Sequence, residues 1–244
     1  MRINLRYQLV LFSDYSTVRD DPNTQELFLG ALQDYGFALR PLVEATIGPA
    51  GVTSQARPSF STSDGAFSIS INSDKATFDY VYTDINVSNT ISIADFLEKV
   101  FDVGSRIGLF SERHYRRVGL IRHTFYDEVD VNRIYSLFCN HIKFYDSLEM
   151  KDWSVFLPAK KNLSDGREIN ATSKIAHINT SVRKNSAIQP FDGIAIITDV
   201  NTLASNNVDN IPWESMKSII REIQRVEYDI TNQTCYAIDG NNLR

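Results

Sequence analysis

Phe67-Ser68-Ile69-Ser70-Ile71, a polar Ser73-Asp74-Lys75 turn and Phe78-Asp79-Tyr80-Val81-Tyr82 form the stretch that decides the fold. Large apolar side chains recur at every second residue on both sides of the turn. Successive side chains of a strand point to opposite faces, so a period of two buries one row and leaves the other near water. Two such rows joined by turn-forming residues predict an antiparallel hairpin, with Ser68 and Ser70 on the wetter face.

Upstream of this hairpin, Ile3, Leu5 and Tyr7 alternate with Asn4, Arg6 and Gln8, predicting a strand over 2–13. Asp21-Pro22 reads as a helix start, because Asp accepts hydrogen bonds from first-turn amides and proline has no amide to lose there. Leu27, Phe28, Ala31, Leu32 and Tyr35 supply the helical stripe, which Gly36 ends. Residues 37–58 are strand-like but interrupted at Gly48-Pro49 and Gly51.

Downstream, Ser92 and Asp95 form a capping box for a helix carrying Ile93, Phe96, Leu97, Val100, Phe101 and Ile107. A long strand is expected over 113–126 and a short helix from Asp130. Further strands are expected at 153–157, 167–182 and 191–200. The last helix starts at Pro212 and carries Trp213, Met216, Ile219, Ile220, Ile223, Val226 and Ile230. Strands followed by an amphipathic helix thus occur twice, a pseudo-repeat of element order. The expected class is α+β, a mostly antiparallel sheet with amphipathic helices between strand groups. It would form a single domain over 1–244 or two intimately packed halves, 1–145 and 146–244.

The 244 residues carry a net charge of −5, with 43% hydrophobic and 23% charged side chains, which excludes a disordered chain. No apolar run approaches the roughly 18 residues of a membrane span, so no membrane partner is expected. Leu9-Val10-Leu11-Phe12 is too short for a secretion-signal core. The Asn-x-Ser/Thr triplets at Asn86, Asn162, Asn170, Asn179 and Asn232 therefore carry no glycosylation reading, and a cytoplasmic location is expected. Cys139 and Cys235 lack CxxC spacing and read as buried thiols.

Arg113-His114-Tyr115-Arg116-Arg117-Val118-Gly119-Leu120-Ile121-Arg122-His123 concentrates four arginines in an acidic chain. On a regular strand Arg113, Tyr115 and Arg117 share one face, and His114, Arg116 and Arg122 share the other. Guanidinium forks fit phosphate oxygens and aromatic rings stack on bases. Arg113, Tyr115, Arg116, Arg117 and Arg122 are therefore candidate contacts for nucleic acid or another anion. The plainer alternative is ion pairing with Glu112, Asp127, Glu128 and Asp130, which would hold the strand in register.

Asp127, Glu128 and Asp130 are the tightest carboxylate group, the kind a metal-dependent hydrolase or nuclease would use, although Asp130 is placed to cap the following helix. His114, His123, His141 and His177 have no ligand spacing, and neither a nucleophile elbow nor a phosphate loop occurs. No catalytic residue, metal or cofactor is expected. Lys160, Lys161, Arg167, Lys174, Arg183 and Lys184 give a second basic bias, read as a solvated sheet face. Trp213 and Met216 suit core packing and equally a partner surface.

Arg117-Val118-Gly119-Leu120, the Phe67-Ser68-Ile69 hairpin and the terminal helix with Tyr228 and Ile230-Thr231 resemble a sporadically distributed bacterial family of uncharacterised proteins of similar length. The resemblance spans most of the chain and departs from the family at Ile121-Arg122-His123. It implies the same α+β reading and no established activity. Sporadic occurrence implies a subunit of a defence or toxin–antitoxin-like system. The leading expectation is thus a non-enzymatic protein-binding subunit of a bacterial complex. A nucleic-acid-binding module built on the arginine segment comes second, and an unrecognised metal-dependent hydrolase or nuclease third.

Overall fold

The structure is a computed structural model and describes residues 2–49, 51–82, 84, 91–138, 152–203 and 211–240. Strand β1 (Arg2–Phe12) is followed by helix α1 (Pro22–Ala31), a three-residue strand β2 (Phe37–Leu39) and a separate hairpin, β3 (Val43–Gly48) and β4 (Gly51–Ala56). The alternating stretch then forms β5 (Ser59–Thr62), β6 (Phe67–Ile71) and β7 (Lys75–Val81). Helices α2 (Ile93–Arg106) and α3 (Gly108–Ser111) lead to β8 (His114–Tyr115), β9 (Arg117–Asp127) and α4 (Val131–Phe138). The remainder comprises β10 (Ser154–Asn162), β11 (Glu168–Lys184), β12 (Ala187–Thr202), β13 (Ile211–Pro212) and α5 (Trp213–Ile238).

Nine strands form one sheet in the order β10-β11-β12-β9-β1-β7-β6-β5-β2, every neighbouring pair antiparallel. The expected α+β class is corrected by this arrangement. Among the described residues strands take 47% and helices 31%, so the fold is sheet-dominated, with a few helices serving as cover. Part of the difference arises in β12, which runs for 16 residues, beyond the expected 191–200, and pairs along nearly the whole of the 17-residue β11. Their polar ends carry no apolar alternation, yet backbone pairing continues to Lys184 opposite Ala187. Asn185 and Ser186, both at positive φ, close that ladder in a two-residue turn. The Asp84 carboxylate accepts from both turn amides, at 2.8 and 2.6 Å.

The pseudo-repeat does not yield two sheets. β9 pairs with β1 on one side and β12 on the other, joining the strands of residues 1–145 to those of 146–244. Tyr7, Leu9 and Leu11 face the helices, opposite Arg122, Leu120 and Val118 of β9. Phe96 of α2 stacks on Tyr7 at 5.8 Å. The capping box at Ser92 and Asp95 forms as the spacing predicts. Asp21 caps α1, but the helix stops at Ala31 and the chain continues as a 3₁₀ turn that Gly36 ends at φ 64°.

The expected strand over 113–126 is broken at Arg116. Tyr115 and Val118 are both fully buried. A strand of period two cannot aim residues three apart at the same core, so the backbone resets between them. Tyr115 pairs instead with Ile211 of β13, and its hydroxyl donates to the Phe110 carbonyl at 2.7 Å.

Candidate functional site

The arginine segment does not gather on one surface. Arg113 lies over the Tyr15 ring, 4.6 Å from its centroid, and donates to the Asp14 carbonyl. Tyr115 is in the core. Arg116 is exposed beside Ser13, Asp14 and His114. Arg117 lies over Phe12 and donates to Asn201 Oδ1 at 2.8 Å. Arg122 is buried on the opposite face of β9 from Arg117. Their partners are rings, carbonyls and amides, with one carboxylate, and that carboxylate is not among the acids nearby in sequence.

The carboxylate is Glu227 of α5. Arg122 Nη1 lies 3.5 Å from Glu227 Oε1, which also accepts from Thr231 Oγ1 at 2.6 Å. Asn4 Oδ1 accepts from Arg122 Nη2 at 2.8 Å and from Thr124 Oγ1 at 3.1 Å. Thr231 and Thr198 hydroxyls are 2.9 Å apart. This polar band separates the large apolar cluster around Tyr7 and Leu120 from a smaller one around Tyr126, Ile134 and Cys235. Burial pushes the Glu227 carboxyl above the ordinary range, with Arg122 opposing the shift. The band pins α5 to the sheet through Glu227 Oε1, while Glu227 Oε2 is buried without a hydrogen-bond partner.

Asp127, Glu128 and Asp130 do not make a metal site. Asp127 Oδ1 accepts from the Glu128 amide and Asp130 caps α4 through the Arg133 amide, each at 3.0 Å. Among the described residues no group of three or more His, Cys, Asp or Glu is placed to hold a metal. His177 Nε2 is 2.6 Å from Asp192 Oδ1, whereas His123 lies apart on β9, its pKa lowered by burial and by Arg6. Cys235 is buried beside Tyr126. Cys139, His141 and Asn86 lie outside the described residues. Met216 is fully buried. Trp213 closes over Gly104 of α2 so tightly that a Cβ there would sit 2.3 Å from the indole. Packing accounts for both residues. No helix among the described residues is long and apolar enough to cross a membrane.

One group of apolar side chains left uncovered lies on the β3–β4 hairpin. Ile47 is 84% exposed, Val52 69% and Val43 65%. Ile47 is directly opposite Val52, and Val43 opposite Ala56, so these side chains share one face. The hairpin is nevertheless firmly rooted. Arg57, buried at its base, holds Glu44 Oε2 at 2.6 Å and the Val18 carbonyl at 2.7 Å. Glu44 in turn accepts from the Ser73 hydroxyl at 2.7 Å and from the Ser73 amide. The broken strand reading over 37–58 located the bend but not this surface. The signal was present in sequence, since residues 41–56 contain a single charged side chain, Glu44.

No family model, no curated protein and no solved structure matches the chain.

Proposed function

We propose that this chain is a non-enzymatic protein-binding subunit and that the β3–β4 hairpin is its contact surface. The observation that carries the reading is the exposure of Val43, Ile47 and Val52 together on one face of a rooted hairpin. Apolar side chains grouped in water cost free energy, and such patches mark surfaces that a partner covers. The Arg57–Glu44–Ser73 root holds the hairpin before any partner arrives, which lowers the ordering cost of binding.

The test is low-salt affinity purification from the native host of the wild-type chain and an Ile47→Lys variant, with mass spectrometry and the 260/280 nm absorbance ratio of each eluate. A stoichiometric protein companion held by the wild type and lost by the variant is expected. Its identity decides whether the complex belongs to a defence or toxin–antitoxin-like system. Nucleic acid that washes off with salt would replace this reading with one centred on the arginine segment. Hydrolytic activity abolished by a chelator would replace it with an enzymatic one.

A further inference from the structure

Resting on the protein-binding reading, we infer that the hairpin takes its partner by strand addition. An extended, uncharged segment of another protein pairs with a free edge of the hairpin and lays aliphatic side chains against Ile47 and Val52. The backbone points to this mode. The Arg57 amide donates to the Leu42 carbonyl at 3.0 Å, in the register that sets Val43 opposite Ala56. Amides alternate in direction along an antiparallel ladder. Even-numbered residues of β3 and odd-numbered residues of β4 therefore bond within the hairpin. Ala45 on one edge and Ser54 on the other direct their N–H and C=O groups outward, as do Ile47 and Val52. Among the described residues neither edge has a further strand neighbour. The residues that present apolar side chains are thus also those that present unpaired backbone.

The same observations select among occupants. Six residues on two strands make a face of roughly 20 by 10 Å. That is far short of the approximately 800 Å² per partner that stable complexes bury, so a second copy stacked on this face alone does not suffice. A lipid surface would leave the edge amides without hydrogen bonds in hydrocarbon. Residues 41–56 also offer no Lys, Arg, Trp or Tyr to anchor at a headgroup. An added strand satisfies an edge and extends the covered area at once. With Glu44 committed to Arg57 and Ser73, nothing on the hairpin calls for a charged partner.

The probe is a displayed library of random linear peptides, selected on the immobilised full chain. Enriched peptides are then measured against four variants, each checked by circular dichroism and thermal unfolding. Ala45→Pro and Ser54→Pro each remove one outward amide while leaving the hairpin's own ladder intact. Ile47→Lys charges the apolar face, and Thr46→Lys charges the opposite one. The expected peptides carry aliphatic residues at alternate positions. They bind about tenfold more weakly to one proline variant and to Ile47→Lys, and unchanged to Thr46→Lys, in keeping with the loss of one or two backbone hydrogen bonds. Binding lost with Ile47→Lys but indifferent to both prolines overturns strand addition and leaves the protein-binding reading standing. Enriched peptides indifferent to every variant, or a failure to enrich any, overturn both. Self-association that Ile47→Lys abolishes would assign the face to a second copy. Sedimentation with phosphatidylcholine–phosphatidylglycerol vesicles that Ile47→Lys abolishes would assign it to lipid, and either result overturns the inference.

Discussion

The outer edge of β10 and the β3–β4 hairpin both expose apolar side chains, and they differ in what their backbones offer. On β10, Phe156 is 62% exposed and Leu157 47%. His177 N donates to Trp153 O and Leu163 N to Arg167 O, so odd-numbered residues of β10 bond to β11 and even-numbered ones face outward. Pro158 therefore falls at an outward position, where it removes the amide that a foreign strand would need, and Lys160 and Lys161 follow it. Proline and lysine on an outer strand guard against edge-to-edge pairing. The opposite edge of the sheet, β2, is guarded by being three residues long. The hairpin has neither device. Both regions thus share exposed apolar surface, and the availability of backbone beside it separates them.

Substitutions in the two regions test these roles. The largest effect is expected from Arg57→Ala, which leaves the Glu44 carboxylate with Ser73 and no cation and frees three carbonyls, of Tyr15, Ser16 and Val18. A loss of about 3 kcal/mol in urea unfolding should accompany it, because removing one member of a largely buried pair leaves the other uncompensated. Rooting would prove dispensable if the variant unfolded like the wild type. Ile47→Lys should reduce capture of the protein companion about tenfold while moving stability by no more than about 0.5 kcal/mol, as for other exposed positions. A companion retained by Ile47→Lys but lost when Phe156 becomes lysine would reverse the roles of the two regions.

Pro158→Thr restores the missing outward amide on β10. Sedimentation velocity should then reveal concentration-dependent self-association weaker than companion binding, with Lys160 still opposing it. No association at any concentration would mean that proline is not the guard. The smallest effect concerns pH. Burial alone would raise the Glu44 carboxyl, but the Ser73 hydroxyl and amide and the Arg57 guanidinium more than offset it, holding the carboxyl below its ordinary value. A depressed folded pKa means that the stabilisation is fully present above the unfolded value of about 4.3 and is lost as pH falls through the folded one. On acidification across that window, methyl NMR signals of Val43 and Ile47 should shift before those of the main sheet, and Glu44→Gln should flatten the response.

Much of the fold was legible wherever one element buried one face. The Phe67 and Phe78 rows, the Ser92 capping box, the Asp21 cap and the apolar stripe of α5 all formed as their spacing predicts. Glu227 illustrates a signal that was there to be read. It sits four residues beyond Ile223 and four before Thr231 on the buried stripe of α5, a register at which a charged residue requires an internal partner. Arg122 likewise alternates with Leu120 and Thr124 on the covered face of β9. Nothing local could have joined these two residues, which are more than a hundred positions apart in the chain.

The local periods, the caps and the turns follow from residue order alone, because these depend on residues within one helical turn or one strand pair. Tertiary packing is what sets both halves in one sheet through the pairing of β9 with β12, disperses the four arginines and leaves the β3–β4 hairpin uncovered. Those outcomes depend on which strand lies beside which and on where a ladder meets the helices above it. They are long-range packing relations, and short-range alternation carries no record of them.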